Sequence, residues 1–200
     1  MKEKLNVNQI PALKQAVLDL TEKEKNQLLI RLINKDQVLI EQLHFRLLED
    51  EMDLIKRYED LKDEIESTLN DHLKPILNAK FNYGSKLYVR LIRNLSGKIN
   101  HFVKVTKSTS YEIELRTFLL IQSSKLYKSI QNEDSVFGFK ARIYQVSRIK
   151  AIAKLLDKLH EDLKYDFVLN YSDDLQLYVF KDLQSEIKIN QVNIEFFIKD

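Results

Sequence analysis

The sequence predicts an all-α protein, a multi-helix bundle with an N-terminal helical hairpin packed on long antiparallel helices. Three observations point that way. Only three glycines and two prolines punctuate 200 residues, where an average chain has roughly 7% and 5%, so turns are few and elements long. Apolar side chains recur at three- and four-residue spacing through most of the chain, the period of one face of an α-helix. Two Thr-x-x-Glu sequences, Thr21–Glu24 and Thr109–Glu112, have the spacing of a capping box, in which Thr accepts from the backbone of Glu and Glu reaches back to the backbone of Thr.

The chain is long enough to bury a core as one domain, and 44% hydrophobic with 31% charged residues is ordinary for a water-soluble helical protein. One domain over 1–200 is expected, with an N-terminal hairpin subregion at 1–48, a long charged hairpin at 49–107 and C-terminal helices at 108–200. There is no cysteine, which excludes a disulfide framework and thiolate metal or redox chemistry. Met1-Lys2-Glu3-Lys4 leads into no apolar h-region, and the longest apolar run, Phe118 to Ile121, is four residues against the roughly twenty that span a bilayer. A cytoplasmic protein with no membrane partner is the expectation.

Taken in order, Asn6 or Asn8 caps a short helix through Leu18, with Pro11 in the first turn, where its missing N–H costs nothing. Ile10, Leu13 and Val17 form its inner face. The Thr21–Glu24 box starts a helix at Glu22 with Leu28, Leu29, Leu32 and Ile33 as its buried stripe. Asn34-Lys35-Asp36 ends it and caps the next, where Val38, Leu39, Leu43, Leu47 and Leu48 are apolar on more than one side, the pattern of a helix covered by two neighbours. Residues 21–48 therefore read as a compact hairpin. The hairpin resembles the leucine-rich helix pairs of α-solenoid proteins, but no second copy recurs at a fixed period.

Leu54, Tyr58, Leu61, Ile65, Leu69, Leu73 and Ile76 line one side of the next helix. Leu87, Leu91, Ile92, Leu95, Ile99, Phe102 and Val103 repeat the pattern after Asn82, Tyr83, Gly84 and Ser85, which supply turn chemistry and an N-cap. Two such stripes across a short turn predict an antiparallel hairpin. Glu49 to Asp71 carries ten acidic against three basic side chains, whereas His72 to Tyr111 carries eight basic ones and no carboxylate. On a wheel of about 100° per residue these charges lie opposite the apolar stripes and face outward. Gly97 sits in mid-helix at a cost of about 1 kcal/mol against Ala, which predicts a close approach by a neighbouring helix.

Ser108-Thr109-Ser110 stops that helix, and the Thr109–Glu112 box starts another carrying Leu115, Phe118, Leu119, Leu126 and Ile130. Asn132 to Gly138 reads as a loop. Phe139 to Leu163 then presents Ile143, Val146, Ile149, Ile152, Ala153, Leu156 and Leu159 at clean helical spacing, the pattern of a central core helix. Beyond Tyr165, Leu175, Tyr178, Val179 and Leu183 suit a helix. Ile187, Ile189, Val192, Ile194 and Phe196 also fit a period-two strand. Helix is favoured over 187–198, because a lone strand pair is marginally stable.

The helix order, the aromatic Asn82-Tyr83-Gly84 turn before a basic amphipathic helix and the Phe137-Gly138-Phe139 segment together resemble small all-helical bacterial proteins of unknown function. That resemblance implies the fold and transfers neither an activity nor a site residue.

No Gly-x-Gly-x-x-Gly, Walker loop or Gly-x-Ser-x-Gly elbow is present, and three scattered glycines cannot build a phosphate cradle. The histidines are His44, His72, His101 and His160, without a His-Glu-x-x-His motif. Glu41 with His44 and Asp157 with His160 have the carboxylate-x-x-His spacing of di-metal helical bundles, which need carboxylates from two further helices. No catalytic, cofactor or metal residue is assigned, and no cofactor is expected. The one constellation that can carry function is the basic stripe Lys86, Arg90, Arg93, His101, Lys104 and Lys107, a candidate polyanion or partner face. Phe81, Tyr83 and Tyr88 beside it have the chemistry to stack on bases, or to fill core. Against a polyanion stand the net charge of only +2 and the −7 carried by residues 49–71. The leading expectation is a non-enzymatic interaction or scaffold module whose charged faces engage a partner protein or a second copy, as a homo-oligomer. A nucleic-acid-binding protein using residues 86–107 comes second, and a carboxylate–histidine metal enzyme third.

Overall fold

The Thr21 capping box forms: Glu24 Oε2 accepts from the Thr21 N–H at 2.9 Å and Thr21 Oγ1 from the Glu24 N–H at 3.4 Å. This is a computed structural model, described over residues 6–79, 83–129 and 136–198, and all regular structure among those residues is helical. They divide into two compact units, Met1–Leu48 and Glu49–Asp200, the break falling where the N-terminal subregion ends.

In the first unit Asn6 caps a 3₁₀ turn, Val7–Gln9, and Pro11 opens helix α1, Pro11–Leu18. Helix α2 is Glu22–Ile33 and α3 is Gln37–Leu48. Asp36 Oδ1 accepts from the Val38 and Leu39 N–H groups at 3.0 and 3.2 Å, which caps α3 as read. The burial expected for these helices does not follow. None of their residues is buried, and Leu29, Leu32, Leu47 and Leu48 are exposed. Helices of 8, 12 and 12 residues are too few and too short to enclose a core among themselves.

In the second unit Asp50 caps α4, Glu51–Leu77. Its Oδ1 accepts from the Met52 and Asp53 N–H groups at 2.8 and 3.1 Å, and Asp53 Oδ2 accepts from the Asp50 N–H at 3.2 Å. This box has Asp where Glu or Gln is usual, and a Ser/Thr-x-x-Glu reading passes over it. Pro75 lies in the last turn, where it withholds one intrahelical N–H donor, and the helix ends at Leu77. Helix α5 is Tyr83–Thr106. Tyr83, Gly84 and Ser85 are therefore its first turn rather than the connection, and Asn82 lies outside the described residues. Both apolar stripes are inside: Tyr58, Ile65, Leu69 and Ile76 of α4 share a core with Leu91, Ile92, Leu95, Ile99 and Phe102 of α5. Gly97 corrects the sequence reading. It is exposed, the helix runs straight through it, and a Cβ built there meets nothing within 4 Å; no neighbouring helix approaches.

Helix α6 is Thr109–Tyr127, and its N-cap is Ser108 without a side-chain cap bond. The second capping box is absent because Thr109 already lies inside the helix, while Glu112 is held by Arg116 Nε at 2.8 Å. α6 is apolar all round. Leu115, Leu119 and Leu126 enter the α4–α5 core, and Ile113, Leu120 and Ile121 enter a second core with α7 and the C-terminal elements. The central helix is thus α6, not the one after it. Ile130 lies outside the described residues.

Helix α7 is Val136–Leu156. It begins inside the stretch read as a loop, of which 132–135 lie outside the described residues, and stops seven residues before Leu163. His160 caps α8, Glu161–Leu175. A π turn, Gln176–Phe180, leads to α9, Gln184–Ile189, and a 3₁₀ turn, Glu195–Phe197. The helical reading of 187–198 holds only in part: α9 ends at Ile189, 190–194 are irregular and Glu195–Phe197 is a 3₁₀ turn, but no strand forms there, with Ile187 buried and Ile189 exposed where a strand would align both. No described helix is long and apolar enough to cross a membrane.

Candidate interaction face

Every residue of the predicted stripe is exposed: Lys86, Arg90, Arg93, His101 and Lys104 along α5, and Lys107 one residue past its end. Lys107 takes a left-handed φ of 59° and donates its N–H to the Val103 carbonyl at 2.9 Å, the geometry of a helix stop that glycine usually fills. The stripe is thus one row over most of α5, and its last member turns out of the helix.

The tertiary structure enlarges this face with residues that periodicity alone could not connect to it. α7, which has no carboxylate over Val136–Leu156, packs against α5 and brings Arg148 and Tyr144 to it. At the seam, two guanidiniums meet the ring of Tyr144 of α7, with the Arg93 carbon 5.5 Å and the Arg148 carbon 4.7 Å from its centroid. A ring face attracts a cation, and two cations on one ring repel each other, so the arrangement favours an incoming anion. Among the described residues Arg148 otherwise makes long contacts to Ser147 Oγ, at 3.4 and 3.5 Å. Several other cations have carboxylates: Arg57 with Glu49, Lys98 with Glu64, Arg142 with Glu186 and Lys128 with Asp182. Sequence reasoning missed Arg148 and Tyr144. The available signal was the absence of any acid in residues 136–156.

Beneath the seam the helices are joined by buried polar groups. Gln145 Nε2 donates to Tyr88 Oη at 2.9 Å and Ser124 Oγ at 3.0 Å, tying α7 to α5 and α6, while Gln145 Oε1 and Thr117 Oγ1 have no hydrogen-bond partner. Burial pushes the Tyr88 hydroxyl well above the ordinary tyrosine range. Tyr88 is wholly buried, so it is core and cannot stack on a base. Tyr83 is exposed, with Lys86 Nζ 5.6 Å from its ring centroid, and Phe81 lies outside the described residues. On the other side of α5, the outward acids of α4 are exposed, and Glu64 pairs with Lys98.

The carboxylate–histidine spacing does not build a site. Asp157 and His160 straddle the break between α7 and α8, so they do not share a helix face, and His160 Nδ1 accepts from the Asp162 N–H at 3.4 Å as an N-cap. Glu41 and His44 do lie in one helix, α3. Among the described residues no three His, Asp or Glu side chains are gathered closely enough to hold a metal ion.

No protein-family profile, curated protein or solved structure matches the chain.

Proposed function

We propose that the protein is a non-enzymatic helical interaction module whose α5–α7 face binds an acidic surface of a partner protein. The observation that carries this reading is the pair of guanidiniums, Arg93 and Arg148, on one tyrosine ring without a carboxylate partner among the described residues, flanked by Arg90 and Lys86 on the same side of α5. Charge-assisted hydrogen bonds from arginine to carboxylates are the strong ones, and the planar fork of each guanidinium suits them. Arg90 and Arg93 are exposed and Arg148 is half-buried beside them.

The same chemistry supports the nucleic-acid reading less well. Tyr88 is core, so Tyr83 is the exposed aromatic that remains on α5 to stack a base, and the acidic row of α4 runs alongside. The test is fluorescence anisotropy of the full chain with a labelled Glu/Asp-rich peptide and with single- and double-stranded oligonucleotides, over a range of salt. The proposal expects the acidic peptide to bind, and Arg90→Gln, Arg93→Gln and Arg148→Gln together to abolish binding. Nucleic acid should bind no tighter than roughly 10⁻⁴ to 10⁻⁶ M, the range of non-specific contacts at physiological salt. Nanomolar oligonucleotide binding, lost in the triple variant, would replace this reading with the second one.

A further inference from the structure

Arg148 differs from Arg116 and Arg142 of the same bundle in what its planar edge faces. Arg116 turns Nε and Nη2 to the Glu112 carboxylate at 2.8 and 2.6 Å, and Arg142 turns Nε to Glu186 at 2.6 Å. Arg148 turns the same Nε–Nη2 edge to the neutral Ser147 Oγ at 3.4 and 3.5 Å, well beyond the roughly 2.7–2.9 Å of a guanidinium–oxyanion bond. The Ser147 hydroxyl meanwhile donates to the Tyr144 carbonyl at 2.6 Å, so it is a spectator to the arginine. Arg93 shares the Tyr144 ring with Arg148, and among the described residues no carboxylate pairs with either. Tyr144 is itself held to α5, its hydroxyl 3.4 Å from the Oγ of buried Ser96. A ring fixed in this way restricts the guanidiniums stacked on it, which lowers the ordering cost of binding an anion.

We propose that the Arg93–Tyr144–Arg148 seam binds a phosphomonoester, the phosphorylated side chain of a partner protein; this rests on the interaction-module reading and names the group it recognises. A carboxylate has two oxygens and one negative charge, and a single guanidinium fork satisfies it. The second arginine on the ring would then stand beside it with no acceptor and an unmatched charge. A phosphorylated side chain carries about −1.5 to −2 at pH 7 and three strong acceptor oxygens, enough to face both forks at once and to match both charges. The phosphodiester of a nucleic acid carries one charge per phosphate and leaves the pair half neutralised. A polyanion must also run past the acidic row of α4, whereas one dianion makes its contacts within a few ångströms and is little affected by charges beyond about 10 Å at physiological salt. The near balance of charge over the chain, +2 in all, therefore opposes nucleic acid and leaves a single dianion unopposed.

The experiment is fluorescence anisotropy of the full chain with three labelled peptides, identical except for Ser, Glu or phosphoserine at one central position in an Asp/Glu-rich background, and with inorganic phosphate as competitor. The phosphoserine peptide should bind at least about tenfold tighter than the Glu peptide, the worth of one added charge-assisted hydrogen bond. Arg93→Lys with Arg148→Lys keeps both charges and removes both forks, so the preference should shrink to about threefold or less. A far-UV melt of that variant checks that the bundle is intact, and Arg93→Lys alone, at an exposed position, should already reduce the preference. Equal binding of the Glu and phosphoserine peptides would overturn this inference and leave the interaction module standing, whereas binding of neither would overturn both. A preference that survives the two lysines would remove these residues from the site. Inorganic phosphate binding as tightly as the phosphopeptide would replace the partner protein with a small anion.

Discussion

Gly97→Ala is expected to stabilise the protein, which is unusual for a substitution in the middle of a helix. Gly97 is the fifteenth of the 24 residues of α5, exposed, between the buried Leu95 and Ile99. Its φ is not positive and an added Cβ meets no atom within 4 Å, so alanine brings neither strain nor a clash. What remains is the backbone entropy that glycine loses on folding, about 0.8–1.0 kcal/mol relative to alanine in a helix interior. A chain of this size should gain roughly 2–4 °C in Tm. Chemical denaturation followed by far-UV circular dichroism checks it, and the midpoint should rise with the denaturant slope unchanged, because the surface exposed on unfolding is the same. A variant less stable than the parent would refute the reasoning. It would mean that another helix approaches α5 at Gly97.

Lys107→Gly should also stabilise, by about 1 kcal/mol, since it relieves a left-handed φ of 59° that lysine adopts at a cost; a thermal melt below the parent's would contradict this. Asp50→Ala removes the oxygen that accepts two N–H groups at the start of α4 and should cost about 1 kcal/mol in denaturant unfolding. Leu95→Asp and Ile152→Asp each place a carboxylate at a position at most 1% exposed, one in each core, and should cost several kcal/mol; parent-like melting of both would mean that neither core is assembled as described. For pH, the Tyr88 hydroxyl is held protonated in the fold by its burial, and Tyr171 is pushed up to about 12, also by burial first. A group whose pKa is raised in the fold contributes stability that is present below its unfolded pKa near 10 and is lost as pH rises through the folded value. Stability should therefore be insensitive to these groups at neutral pH and fall above pH 10, with Tyr88 contributing about 1.4 kcal/mol per pH unit. Absorbance of ionised tyrosine against pH, beside urea midpoints from pH 8 to about 11, is the measurement; a midpoint independent of pH across that window would count against a buried Tyr88.

The sequence by itself determined the helical class and the inward faces of the long hairpin, because these follow from local rules. A 3.6-residue period decides which side chains share a face, and Leu54 through Ile76 and Leu87 through Val103 obey it without interruption; all are buried or half-buried in the bundle. The Thr21 box and the Asp36 cap were legible for the same reason, since their hydrogen bonds span three residues. Where several local readings compete, the sequence alone does not rank them. Thr109 has the letters of a capping box, but the helix begins at Thr109 itself and Glu112 finds Arg116. Gly97 is compatible with a close contact or an open surface, and only the position of the neighbouring helices decides which. α6 became the central helix because it has apolar residues on opposite sides and α4, α5 and α7 pack around it. The stripe on α5 was visible as a row of cations. Its junction with Arg148 through Tyr144 was not, because residues 93, 144 and 148 come together only when α5 and α7 pack side by side, and that packing is set by two cores whose members are far apart in sequence.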